Sequence, residues 1–176
     1  MKTEDIDRDY NLTQIVVSPL YYGMIVNIVL PAALLFGCWW LNNNNQPENI
    51  IPEFANTLFY VFAVFSVIQA AAALWWRQRS FDQPMVRREE TFEQDISQCL
   101  LKRSRPIFVL IASISAWGYL YFFLTGRFRE TALFVVLSFV VFQVVRPRIG
   151  SVRKLIIHQK ELVEQGRFLN DGSSLT

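Results

Sequence analysis

Charge is missing from long parts of this chain. Of 176 residues, 18% are Asp, Glu, Lys or Arg, yet none falls in 20–41, 55–76, 107–124 or 131–145. Those four runs hold 77 residues, where even scattering would place about 14 charges. A soluble globular domain and a disordered chain are both excluded by that gap. Histidine is nearly absent as well. The single His158 excludes a haem with two axial histidines and a histidine-based metal cluster within one chain. It reads as a solvated or interface-edge residue. The two cysteines, Cys38 and Cys99, fall on opposite sides of the membrane in the topology derived below, so they cannot pair, and no metal-ligand spacing is present. The seven glycines do not cluster, and no Walker, dinucleotide, G-x-S-x-G or H-E-x-x-H pattern occurs. No cofactor is implied.

What is present is apolar length. A hydrocarbon core of about 30 Å takes about 20 helical residues. The runs 20–41 and 55–76 meet that length with 22 residues each, and 107–124 is slightly short at 18. The run 131–145 has only 15, so Arg129, Glu130 and Arg146 must snorkel or the bilayer must thin. The runs do not alternate with period two, which excludes a β-barrel. Backbone groups in lipid then leave helices as the solution. Tyr21, Tyr22, Trp39, Trp40, Trp75 and Trp76 sit near run ends, where amphipathic rings favour the headgroup level.

The fold class expected is all-α: an integral membrane protein with four transmembrane helices in two hairpins, each hairpin followed by an amphipathic cytoplasmic helix. The segments are a cytoplasmic arm (1–19), a first hairpin (20–76), a cytoplasmic helix segment (77–105), a second hairpin (106–145), and a C-terminal helix with a disordered tail (146–176). Lys and Arg number 15 in the arm, middle and C-terminal segments, against 2 in the two hairpin tips. By the positive-inside rule, both termini are cytoplasmic. The first 17 residues are polar, so the first span is expected to be an uncleaved signal anchor. Small size and simple topology point to a bacterial inner membrane.

The middle segment is expected to be a separate helix, capped by Asp82 with Pro84 in its first turn, ending in a bend at Arg105-Pro106. Phe92, Ile96, Cys99 and Leu100 recur at helical spacing within it. Ser151 is expected to cap the C-terminal helix, whose Val152, Leu155, Ile156, Gln159, Leu162 and Val163 share one face. Those apolar stripes can lie on lipid, pack together or meet a partner. The acids Glu89 to Asp95 tilt the balance toward a protein partner, because anionic lipid repels them. Phe92, Ile96, Leu155, Ile156 and Leu162 are the expected docking residues.

No ionisable side chain lies inside a span, which argues against proton-coupled transport and voltage sensing. Polar residues there are few. Pro31 removes the helical partner of the Asn27 carbonyl, so a kink is expected near mid-membrane. Asn27, Gln69 and Gln143 form a possible intramembrane polar site, or Asn27 bonds to Gln69 or a serine on a neighbouring helix. Two small-residue faces, Ala112 with Ala116 and Ser66 with Ala70 and Ala73, are expected to permit close helix approach. A net charge of +2 does not suggest nucleic acid, since topology explains where the bases cluster.

These features lead to a non-catalytic membrane subunit that assembles with, stabilises or regulates a larger membrane complex. Its partners are the lipid bilayer and a larger complex or further copies of itself. The alternative is a small oligomeric transporter or channel lined by Asn27, Gln69 and Gln143. A membrane enzyme acting on lipid or quinone through Glu89, Glu90 or Asp95 ranks last, because nothing near those acids marks them.

Overall fold

The computed structural model describes residues 11–45 and 54–169. The N-terminal acids, the tip residues Gln46, Pro47, Ile50 and Ile51, and the tail from Asn170 lie outside them. The described residues are mostly helical, with no strand among them. Four helices are long and apolar enough to cross a membrane.

The first begins well before its charge-free run. Asn11 caps it, its side chain accepting from the Gln14 amide at 3.2 Å, and α1 runs Leu12–Met24. A π-helical segment, Ile25–Val29, follows, and then α2, Leu30–Asn45. The residues assigned to a polar arm are therefore partly helix, and Leu12, Ile15 and Val16 are buried. The break expected at Pro31 takes the form of a π turn, in which the Leu30 N–H reaches back to the Ile25 carbonyl. Helix α3 is Ala55–Phe81.

The middle segment departs from expectation. Asp82 ends α3, and Pro84 lies in an irregular loop, not in the first turn of a helix. A short 3-10 turn, Glu89–Thr91, leads into α4, which runs Phe92–Thr125 without interruption through Pro106. There is thus no helix break at the foot of the third run and no separate middle helix. Pro106 removes one helical hydrogen bond, to the carbonyl of Lys102, an exposed residue. The helix is packed on both sides of the proline: Ile96 and Leu100 below it, Ile107 and Phe108 above it, all buried.

Gly126 closes α4 in the left-handed region (φ 69°), a conformation that favours glycine, and its N–H bonds Phe122 O at 2.7 Å. Helix α5, Phe128–Val145, returns along α4. Arg146 then turns extended, and α6 is Ile149–Glu164, with Arg148 rather than Ser151 at its N-cap.

Helix α4 is the axis of the molecule and contributes to three successive buried layers. The first joins Phe92, Ile96 and Leu100 to Leu12, Ile15, Met85 and the α6 residues Val152, Leu155 and Ile156. In the second, Ile107, Phe108, Ile111 and Ile114 meet Ala73, Val141 and Phe142. The third sets Tyr121 against Phe62 and Phe134. The first layer lies outside the charge-free runs, where burying a large apolar side chain from water contributes about 1.5–3 kcal/mol. The other two lie within them and depend on shape and dispersion instead. Phe108 and Phe142 meet edge to face at 5.6 Å, for example.

The first and second spans do not pack along each other. Each packs on the α4–α5 pair. Ser66 and Ala73 are buried in the second span, as its small-residue face requires. On α4 the close face is different from the one expected: Ala116 is exposed, and Gly118 takes the close approach. A Cβ on Gly118 would stand 2.8 Å from Phe134 Cβ and 3.1 Å from the Thr131 carbonyl.

Candidate functional site

The three polar span residues do not form one site. Asn27, on the π segment, is 2% exposed. Its Nδ2 donates to Gly23 O of its own helix at 3.2 Å, and Oδ1 is buried without a partner. It bonds neither Gln69 nor a serine. Gln69 instead accepts from Trp117 Nε1 at 3.1 Å. Gln143 lies beside Phe142, which packs on Phe108. Trp117 and Phe108 are nine residues apart on α4, so Gln69 and Gln143 are separated by about 14 Å along the helix axis. Most span hydroxyls turn inward to nearby carbonyls of their own helix: Ser66 to Phe62, Ser113 to Leu110 and Ser115 to Ala112. Two cross between helices, Ser138 to Ile111 O and Thr131 to Gly118 O, both at 3.0 Å. Tyr119 also crosses, donating to Pro31 O at 2.5 Å.

The five expected docking residues are brought together, but with one another. Phe92, Ile96, Leu155, Ile156 and Leu162 are all at most 8% exposed, and the first four share the layer with Leu12 and Met85. A partner docking on these side chains would have to displace the chain's own core. His158 is partly exposed, with Nδ1 3.9 Å from a Glu161 oxygen. Among the described residues no group of His, Cys, Asp and Glu is arranged to hold a metal ion.

The polar feature that sequence reasoning passed over is an arginine seam at the end of the bundle where α3 and α5 finish. Each of those helices leaves carbonyls without helical donors. On α5, Pro147 lacks the N–H that the Gln143 carbonyl would receive, and the chain turns away before Arg148 could serve Val144. Arg148 Nη2 donates to Gln143 O at 3.1 Å, and Arg77 Nη1 to Val144 O at 3.4 Å. At the end of α3, Arg103 donates to Ser80 O at 2.5 Å and, in the loop beyond, to Pro84 O at 2.9 Å. Guanidinium groups also suit the negative end of a helix dipole. Arg105 stands over the Tyr22 ring at 5.5 Å and Arg77 over Phe81 at 5.3 Å. The signal for this seam was Arg146-Pro147-Arg148 directly after an apolar run. Read as topology alone, it explained the charges but not the carbonyls they cap.

A second polar junction ties the loop after α3 to α6. Gln159, 1% exposed, accepts from the Met85 amide at 2.8 Å and donates to Gln83 O at 3.1 Å. The Leu169 amide bonds Val86 O at 2.8 Å, and Asp95 accepts from the Arg87 amide at 2.9 Å. Comparison of the chain with family models, with curated proteins and with solved structures finds no match.

Proposed function

We propose that the chain is a non-catalytic integral membrane subunit that assembles with, stabilises or regulates a larger membrane complex. The observation that carries this reading is the uneven burial of the four spans. Within the most apolar stretch of each, 44% of residues are buried in Phe92–Thr125 against 17% in Leu12–Asn44 and 17% in Ala55–Phe81. The two outer spans lend one side to the α4–α5 pair and leave the rest uncovered. On α3, Val61, Phe65, Ile68 and Trp75 recur at helical spacing and are each at least 43% exposed. Surfaces of this kind in a bilayer meet lipid or further helices. Docking in this reading goes through span faces and not through the buried Ile96 and Leu155.

The topology proposed has two hairpins, with both termini and the arginine seam in the cytoplasm of a bacterial inner membrane. Its support is the charge count, 15 of 17 Lys and Arg on that side. The test is affinity purification in mild detergent from native membranes, followed by mass spectrometry. A larger protein in fixed stoichiometry supports the reading; a clean homo-oligomer without partner overturns it.

One observation favours a second reading, an oligomeric transporter or channel: the orphan Asn27 Oδ1 beside a π turn, a place where helices commonly build sites. Flux in liposomes that Asn27→Leu abolishes would support it; flux unchanged by that variant, or none at all, would remove it.

A further inference from the structure

We propose that the cleft at the basic ends of α3, α4 and α5 seats the phosphate of an anionic membrane phospholipid, a site that rests on reading these ends as the membrane surface. The cleft is lined by Arg77, Ser104, Phe108, Val145 and Pro147, among others. Arg77 enters it with most of its donors unused. One of its nitrogens reaches Val144 O, while Nε is buried and has no partner. Arg148 is near enough for its positive charge to act on Arg77. Among the described residues, no carboxylate lies within ion-pair distance of either arginine. The half-buried Arg77 guanidinium, drawn partly out of water without an anion, is a costly arrangement, the exposed Arg148 adds positive charge at the rim, and the fork of donors on arginine matches a phosphate.

The size of the cleft limits how much of an anion can enter. Its volume is about 10 Å³, room for about one water-sized group. A whole phosphate group, of a nucleotide or of a lipid, could not be enclosed there. One phosphate oxygen could, if the remainder of its molecule lay outside along the apolar span faces. Ile107, Phe108 and Val145 form its buried apolar wall, and the exposed Trp76 and Val144 at the same helix ends offer the outer apolar surface that suits the glycerol and acyl portion of a lipid. Basic pockets between spans at a cytoplasmic surface recognise such headgroups by this chemistry.

The test uses the full chain purified in mild detergent, with lipid retention read by native mass spectrometry. Phosphatidylglycerol is expected to be retained over phosphatidylcholine, and excess inorganic phosphate to leave it in place. Arg77→Gln and Arg148→Gln are each expected to weaken retention about fivefold, and Arg129→Gln at the other end to leave it unchanged. Equal retention of phosphatidylcholine overturns the proposal. So does displacement by free phosphate, or full retention by Arg77→Gln with helix content intact. Should Arg77→Gln fail to fold because α5 loses its cap, Arg148→Gln and the headgroup comparison on the unaltered chain decide between retention and loss of the proposal.

Discussion

Gln159→Leu removes the side chain that fastens the 82–88 loop to α6, at nearly constant volume. Gln159 serves two backbone groups, but the losses differ. The Gln83 carbonyl keeps a weak donor in Arg103 at 3.4 Å, and Gln83 is exposed to water. The Met85 amide has neither help: Met85 is 0% exposed and its N–H bonds Gln159 alone. An unsatisfied buried amide costs about 1–3 kcal/mol. Leucine can repay little of this, because the orphan is backbone and cannot be replaced. If opening of the loop governs exchange, the Met85 amide should exchange roughly 5- to 150-fold faster in the variant. Hydrogen–deuterium exchange in detergent, resolved to the peptide containing Met85, reads this directly, with Val152 and Ile156 on α6 as internal references. Met85 exchange within twofold of the unaltered chain, with α6 still protected, would refute the assignment of Gln159 as the pin.

Three further outcomes are expected. Gly118→Ala should destabilise by about 1–3 kcal/mol by overpacking against Phe134 and the Thr131 carbonyl, whereas Gly37→Ala, which meets nothing within 4 Å, should be neutral or stabilising; thermal melts of both in one detergent compare them. Thr131→Val keeps shape but removes the hydroxyl that donates to Gly118 O, and a loss of about 0.6 kcal/mol is expected by denaturant titration; no change would mean that the hydroxyl is satisfied by Arg127 O within its own helix alone. Arg103→Gln strips donors from the carbonyls of Ser80 and Pro84, and limited proteolysis should then cut within 82–88 faster, while Arg103→Lys restores only part of the protection.

The four spans were legible because lipid sets a single hard condition, about 20 residues without charge, and composition meets it openly. The ends of the helices were less legible. Charge-free runs mark hydrocarbon, but a helix continues wherever packing supports it, so α1 starts at Leu12 on a polar stretch capped by Asn11. Pro84 and Pro106 show the same limit. Each lies within two residues of a charged one and near an apolar run, yet one lies in a loop and the other inside a helix. The difference lies in long-range packing by residues such as Ile107 and Phe108, which no local pattern encodes. The shared face of α6 was readable, Gln159 included, but an apolar stripe does not name what covers it. Here the cover includes Leu12 and Ile15 from the other end of the chain. The pairing of Asn27 with Gln69 failed for a related reason. The π turn gives the Asn27 amide an acceptor on its own helix, and Trp117 has already claimed Gln69.

The unbroken run of α4 has a mechanical side. Its 34 residues make a rod of about 51 Å, some 20 Å longer than the hydrocarbon it would cross. The overhang is not free; it is gripped by α1, the 82–88 loop and α6 in one layer. A rod held at both ends is a lever. Tilting it by about 5° around the bilayer midplane would swing the Phe92 end by roughly 3 Å, more than a packed layer absorbs without rearranging. Bilayer thickness, or pressure from a neighbour on the span, would therefore be felt at α6 as displacement, with no break in the helix between them.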